Sequence, residues 1–354
     1  MRVLLISEEA PPAPTGGIGM FYADFATALE HAGAQVRLLA PDAAAAPGRT
    51  AALARRWKLY REARRAVRDF QPDVVETHDW SGPLQANLGR PLVVRMHGAH
   101  GALRPTPSRF WRALERRTLL CADAHLAVST WIARRTAHRF QLPHLATVVP
   151  SGIDTDFFRP PETPHNAAEI LFVGSPRLDK GLPELFAAAE RVFASRPWAT
   201  LTVVGALEKA LPCAVPRSIR DRVRCLGRVE RDRLPELYGR ATAAVFPSHA
   251  EAFGLAALEA ASCGTAVAAS RRGGASEWLN HGRNGVLIDP RNAPELAQEL
   301  GRLLDQPNRR RALGEAARRS VVERFDLAAA AQTNLEHYEE LCSRWELVQP
   351  RAAA

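Results

Sequence analysis

The sequence predicts an α/β chain of two Rossmann-like, doubly wound parallel-sheet domains facing each other across a cleft. Three observations predict it. Twelve short runs rich in Val, Leu and Ile recur along the chain, and most are continuously apolar rather than alternating. Such runs suit strands buried on both faces of a parallel sheet. Amphipathic helical patterns separate most of them, which is the rhythm of βαβ units. The runs also divide six and six around FRPPETPHN (158–166), whose prolines and polar residues read as a linker. The 354 residues are too many for one ordinary core and suit two of ~150 to 180 each.

The first six runs are RVLLIS (2–7), QVRLLA (35–40), DVVETH (73–78), LVVRMHG (92–98), AHLAVS (124–129) and ATVVPSG (146–152). The second six are EILFVGS (169–175), TLTVVGA (200–206), VRCLGRV (223–229), TAAVFPS (242–248), TAVAAS (265–270) and GVLID (285–289). The expected boundaries are a first domain over 1–157, a linker over 158–168, a second domain over 169–325 and a C-terminal helix over 326–354. Ligands of such sheets bind beyond the carboxyl ends of the strands, where helix N-termini point.

Composition narrows the class. With 46% apolar and 24% charged residues the chain is a folded, soluble protein rather than a disordered one. MRVLLISEEAPPAP meets acidic and proline residues at once, so it reads as a first buried strand rather than a signal peptide. No apolar stretch approaches the ~20 residues that span a bilayer. Cys121, Cys213, Cys225, Cys263 and Cys342 are scattered without a Cys-x-x-Cys pair, which points to reduced thiols, a cytoplasmic location and no structural metal. The net charge of +9 favours anionic partners. Only Lys58, Lys180 and Lys209 are lysines, so a general bias toward arginine explains the charge equally well.

PSHAEAFGLAALEAASCGTAVAAS (247–270) carries the strongest chemistry. A strand ends at Pro247-Ser248, a loop carries Glu251, and Phe253-Gly254-Leu255 opens a helix that stops at Gly264. Gly254 permits close backbone approach where unpaired N–H groups suit a phosphate. Glu259 lies two turns inside the helix, ~12 Å beyond Glu251 along the axis. Two acceptor carboxylates at that separation suit two hydroxylated rings flanking a diphosphate. The plain alternative makes Glu251 a helix-start charge and Glu259 a solvated helix residue. LFVGSPRLDKG (171–181) adds Arg177 and Lys180 after a strand and a glycine turn. Cations there would meet the negative charge of a departing diphosphate, and a scarce lysine in an arginine-rich chain favours a role needing a compact ammonium. Near the N-terminus, Gly16-Gly17 precede an amphipathic helix in PAPTGGIGMFYADFATALEHAG (12–33), and His97-Gly98 end the fourth run.

These segments together resemble the retaining glycosyltransferases of family four, which have the GT-B fold. That family has Pro-Ser, two residues, Glu, any residue, Phe-Gly, and a second Glu eight residues after the first. EAFGLAALE supplies both, as Glu251 and Glu259, with Ala252 where the family often has Gly. The resemblance implies that Glu251 contacts sugar hydroxyls, Glu259 the ribose, and His97 the donor sugar. Gly16, Gly17, Phe253, Gly254 and Leu255 fall among the donor-binding positions. Lys180-Gly181 match the family pattern, while Ser175 stands in the expected Arg position and Arg177 follows two residues later. Arg95 and His100 are the candidates for acceptor contacts. Weaker marks are CADAHLAVST (121–130), VVPSGIDTDFF (148–158, Ser151 for Asn), and RRGGASEWLNHGRNGVLIDP (271–290) with Glu277, Asn284 and Gly285 in place.

The resemblance implies an anomer-retaining transferase; no Asp-x-Asp metal motif is expected, and cations and helix amides are expected to do the work of a divalent ion, so neither metal nor cofactor is called for. Its donor would be a UDP-, GDP- or ADP-linked sugar and its acceptor a glycan, lipid or small molecule. A non-catalytic nucleotide-sugar-binding protein, or a phosphorylase or epimerase of the same fold, are the rival readings. ALARRWKLYREARRAVRDF (52–70) admits two readings: an apolar stripe packed on the first sheet, or a basic amphipathic helix on an anionic membrane. The basic residues are dispersed and no recognition motif appears, so nucleic acid is not an expected partner.

Overall fold

The computed structural model describes residues 1–8, 17–40, 48–104, 108–162 and 168–348. The chain forms two compact units, one of Met1–Gly152 with Leu327–Ala354 and one of Ile153–Asp326.

The first unit holds β1 (Arg2–Ile6), β2 (Gln35–Leu39), β3 (Val74–His78), β4 (Leu92–Met96), β5 (Ala124–Ala127) and β6 (Thr147–Val148). They form one parallel sheet in the order β2-β1-β3-β4-β5-β6. β3 and β4 are buried at every position, so their sequences carry no alternation. Leu4, Ile6, Val75 and Leu92 of the sheet pack with Leu59, Ala63 and Ala66 of helix Arg49–Phe70. Those helical residues recur at three- and four-residue spacing, which puts them on one face. The last helix, Leu327–Val348, packs against helix Gly17–His31 in the same unit. The winding reverses between β1 and β3, so their carboxyl ends flank a crevice suited to ligands.

The second unit holds β7 (Glu169–Val173), β8 (Thr200–Val204), β9 (Val223–Gly227), β10 (Ala243–Phe246), β11 (Val267–Ser270) and β12 (Val286–Ile288). Their order is β12-β11-β10-β7-β8-β9, all parallel, with the reversal between β7 and β10. Helix Leu182–Ser195 buries Leu185, Phe186, Val192 and Phe193 in the core with Ile170, Val203 and Val245. Helix Ala293–Asp305 packs beside it and is capped by Asn292, whose Oδ1 accepts from Glu295 N–H at 3.1 Å. All twelve apolar runs are strands, and the fold class is the one the sequence predicts.

Two details differ from the sequence reading. The chain passes from one unit to the other at Gly152–Ile153, not at 158. Residues 158–162 are packed on the second unit rather than forming a tether. Phe158 is 1% exposed beside Tyr238, and Pro161 Cδ lies 2.3 Å from where a Gly239 Cβ would stand. The rest of the expected linker, 163–167, lies outside the described residues. The sixth run pairs only at Thr147–Val148 because Pro150 has no N–H to continue a ladder.

Candidate functional site

In the second unit the loops after β7 and β10 meet at the reversal point. The β7 loop turns through a short 3-10 helix, Leu178–Lys180, and leaves it at Gly181 with φ 78°. A Cβ at Gly181 would stand 2.0 Å from the Pro247 carbonyl oxygen, so only glycine lets the two loops touch there. His249 N–H donates to the Asp179 carbonyl at 2.8 Å, and His249 Nε2 lies 2.8 Å from Glu184 Oε1. Thus clamped, the loops place Lys180 Nζ 2.7 Å from Glu251 Oε2, with Ser248 Oγ at 3.4 Å from the same oxygen. Arg177 pairs with Asp179, its Nε donating to Oδ1 at 2.8 Å. That hydrogen bond, with the charges of Asp179 and Glu251, holds the guanidinium above its ordinary range despite burial. Burial pushes the Asp179 carboxyl up, but Arg177 outweighs it and the net shift is downward. The sequence candidates Arg177, Lys180 and Glu251 therefore share one site.

Glu251 is held by backbone as well as side chain. Its carbonyl accepts from Gly274 N–H at 2.9 Å, and it bridges to Gly273. A Cβ on Gly274 would lie 2.0 Å from the Ala252 carbonyl oxygen, which explains the glycine pair in RRGG. Gly254, at φ 91°, caps helix Leu255–Ser262. The Ala257 and Leu258 N–H groups both return to the Gly254 carbonyl, so helical bonding begins there. The N–H groups of Leu255 and Ala256 point out of the helix start, where a small positive potential accumulates.

Phe253 needs correction as a donor-binding side chain. It is 4% exposed, its ring lies edge-on to Phe325 at 5.5 Å, and its carbonyl accepts from Trp278 Nε1 at 3.2 Å. It anchors the loop rather than lining the site. Glu259 is half-buried and accepts from the Tyr238 hydroxyl at 2.8 Å; it is not a freely solvated helix residue. Asn284 is likewise structural, with Nδ2 on the Trp278 carbonyl at 3.0 Å and Oδ1 accepting from Asn280 N–H at 2.6 Å.

In the first unit the candidates lie at the ends of β3 and β4. Arg95 is 0% exposed and is not an acceptor contact. Its Nε and one terminal nitrogen each donate to Glu76 at 2.8 Å, and that nitrogen also donates to Asn334 Oδ1 at 2.5 Å. The Tyr22 and Tyr338 hydroxyls donate to the same carboxylate at 3.2 and 2.5 Å. A fully buried arginine cannot reach a ligand; it ties β3 and β4 to helices Gly17–His31 and Leu327–Val348. His97 is half-buried against Phe21, ring centroids 4.7 Å apart. Its Nε2 is buried and has no hydrogen-bond partner among the described residues. Burial, then the charges of Arg95 and His78, depress its pKa well below the ordinary 6.5, so the imidazole is neutral. His100 Nδ1 is held by Glu115 Oε1 at 3.1 Å and its ring lies against Trp80, tilted by 35° with centroids 3.7 Å apart. Gly17 begins helix Gly17–His31, and a Cβ there would meet nothing within 4 Å. Gly16 lies outside the described residues.

Sequence reasoning missed the buried carboxylates that shape this end of the sheet. Asp79 accepts the N–H groups of His97, Gly98 and Ala99 at 2.9, 3.2 and 2.8 Å. Glu115 accepts those of Ser81, His100 and Gly101 at 3.1, 2.8 and 2.9 Å. The available signal was Glu76 and Asp79 in and just after a run otherwise fit for burial. Against the expectation of no Asp-x-Asp metal motif, Asp154-Thr155-Asp156 has that spacing. Asp154 Oδ1 instead accepts from Asp156 and Phe157 N–H at 3.1 and 2.8 Å, an Asx-type turn.

A family model described as Glycosyl transferases group 1 matches residues 154–320, and one described as Glycosyltransferase Family 4 matches residues 15–157. A glycogen synthase of Mycobacterium tuberculosis is 30% identical, over 96% of this chain and 94% of the relative. A D-inositol 3-phosphate glycosyltransferase of Acidothermus cellulolyticus is 32% identical, over 66% of this chain and 60% of the relative. The solved sucrose-phosphate synthase of Thermosynechococcus elongatus superposes with a TM-score of 0.78 at 21% identity, covering 97% of this chain and 100% of that one. Anabaena Alr3699/HepE in complex with UDP-glucose superposes at 0.73 and 20% identity, covering 96% and 100%. At these identities the two structures speak to the fold alone. The chain belongs to the group 1 glycosyltransferases of GT-B fold, and its activity is glycosyl transfer.

Proposed function

We propose that the donor is a nucleotide-diphosphate sugar, that transfer retains the anomeric configuration, and that no divalent metal is required. The observation that carries this is the Lys180–Glu251 pair beside the start of helix Leu255–Ser262. One ammonium, a nearby guanidinium and outward N–H groups are the complement of a diphosphate, and a carboxylate next to them is the complement of sugar hydroxyls. The ligands in the Anabaena Alr3699/HepE structures, UDP and UDP-glucose, make UDP-glucose the first donor to test.

On this reading the anomeric C–O bond breaks with its electron pair passing to the β-phosphate oxygen. Lys180, Arg177 and the amides of Leu255 and Ala256 stabilise the charge that develops there. Glu251 accepts from the sugar and Glu259, oriented by Tyr238, from the ribose. The acceptor oxygen bonds to the anomeric carbon on the face the diphosphate leaves. Its proton passes to the departing phosphate oxygen, so atoms and charge balance. We assign the acceptor to the first unit and a sugar contact to His97, whose neutral ring offers one donor and one acceptor.

The test is a thermal-shift screen of UDP-, GDP- and ADP-glucose, followed by transfer to a panel of glycans and polyols with the best donor. The expected outcome is stabilisation by one donor, and release of its nucleotide only when acceptor is present. Donor binding without turnover on any acceptor would favour a non-catalytic binding protein.

A further inference from the structure

Helix Arg49–Phe70 is two-sided. Ala52, Arg56, Leu59, Ala63 and Ala66 face inward. At 100° per residue the opposite side carries Lys58, Arg61, Arg64, Arg65 and Arg68, all exposed. Two large apolar side chains join this stripe, Trp57 within it and Leu53 at its edge: Trp57 is 63% exposed and Leu53 49%. Arg61 lies over the Trp57 ring at 4.5 Å. Carboxylates offset little of the charge. Glu62 is 3.8 Å from Lys58 and Asp69 is 3.5 Å from Arg68, whereas Arg61, Arg64 and Arg65 have no ion pair among the described residues.

A general arginine bias does not produce this pattern. In helix Pro307–Arg324 three of the six arginines reach protein acceptors: Arg309 reaches Glu299 at 3.2 Å, Arg310 the Leu303 carbonyl at 2.8 Å, and Arg318 the Ser262 carbonyl at 2.5 Å. The outward stripe of Arg49–Phe70 differs in joining Arg61, Arg64 and Arg65 to an exposed tryptophan and leucine over several turns.

We propose that this face docks the protein onto an anionic lipid bilayer, with the cations at the headgroups and Trp57 and Leu53 entering the interface. Cations alone would suit any polyanion. An indole and an isobutyl group in the same stripe gain nothing from a phosphate backbone in water, whereas they gain from burial at the acyl boundary. No helix among the described residues is long and apolar enough to cross a membrane, so the contact is peripheral. The inference depends on the surface of the first unit and stands apart from the donor chemistry proposed above.

The test is co-sedimentation of the full chain with vesicles of phosphatidylcholine alone, or of phosphatidylcholine mixed with phosphatidylglycerol. Wild type is expected to sediment with the mixed vesicles only, and less at high salt. Replacing Arg61, Arg64 and Arg65 together by Glu is expected to weaken partitioning on the order of 100-fold. Leu53→Ala with Trp57→Ala is expected to weaken it about 10-fold. A control replacing exposed Arg311, Arg319 and Arg344 by Glu makes the same change in net charge and is expected to shift partitioning less than about 3-fold. Circular dichroism and melting temperature confirm that each variant is folded. Equal loss in both triple variants, or no sedimentation of wild type, overturns the proposal. So does tight binding of a mixed-sequence RNA with Trp57→Ala leaving vesicle partitioning unchanged, which would assign the face to nucleic acid.

Discussion

Lys180 Nζ lies 2.7 Å from Glu251 Oε2, and this pair joins the loops that follow β7 and β10, the strands between which the second sheet reverses its winding. Both side chains are mostly buried, at 20% and 26% exposure. Lys180→Ala is expected to lower the turnover of a nucleotide sugar by about 10² to 10³, the cost of losing one preorganised donor. Glu251→Gln is expected to reduce turnover while changing the unfolding free energy by about 1 kcal/mol or less. Steady-state kinetics beside denaturant unfolding check both. Wild-type turnover in either variant would remove the pair from the chemistry.

The loops themselves depend on glycine. Gly181→Ala places a methyl 2.0 Å from the Pro247 carbonyl at a φ of 78°, and Gly274→Ala places one 2.0 Å from the Ala252 carbonyl. Each is expected to destabilise the protein by about 2 kcal/mol or more and to lower donor affinity, because the clash displaces the backbone that positions Lys180 or Glu251. Gly17→Ala, with open space around it, is expected to change stability by less than about 0.5 kcal/mol. Thermal melts of the three variants order them directly.

Glu76 and Arg95 are both 0% exposed. Glu76→Ala leaves the Arg95 charge buried and the Tyr22 and Tyr338 hydroxyls without their carboxylate. It is expected to cost about 3 to 5 kcal/mol of stability. Urea unfolding measures it, and a cost under about 1 kcal/mol would contradict the network described here.

Stability should also fall on acidification. Burial lowers the His78 pKa from 6.5 to about 3, and burial with the Arg95 and His78 charges depresses His97 as well. Below pH 6.5 the unfolded chain binds protons at both histidines that the folded chain refuses. Their contribution is complete above 6.5 and is lost as pH falls toward the folded values. Burial raises Asp79 from 3.8 to about 7, which acts in the opposite sense between those values. His78 and Asp79 act in opposite senses over this window, so the depressed His97 sets the net sign, and stability is expected to fall as pH drops below 6.5. Comparing wild type with His78→Gln isolates the proton at His78, and identical pH profiles would contradict the assignment.

The architecture was legible because continuous apolar runs such as ILFVG and AAVF can be little else than strands buried on both faces. The meeting of Lys180 and Glu251 in one candidate site was legible because both sit, with Gly254, at fixed offsets from strand ends. What stayed hidden is set by tertiary partners. Arg95 reads as a strand-end cation until Glu76, on the neighbouring strand, takes its guanidinium. Phe253 reads as a site residue until Phe325, far along the chain, receives its ring. Residues 158–162 read as a linker because proline marks loops, yet Pro160 and Pro161 pack against Gly264 and Gly239. Periodicity reports which face is apolar, not which polar group waits there.

The proposed diphosphate site lies at the start of helix Leu255–Ser262 beside Lys180. A crystal structure with the nucleoside diphosphate that gives the largest thermal shift tests it most directly. Phosphate oxygens are expected within hydrogen-bonding distance of Lys180 Nζ and the Leu255 or Ala256 N–H. A diphosphate bound elsewhere, with Lys180 still paired to Glu251 and untouched by the ligand, would contradict it.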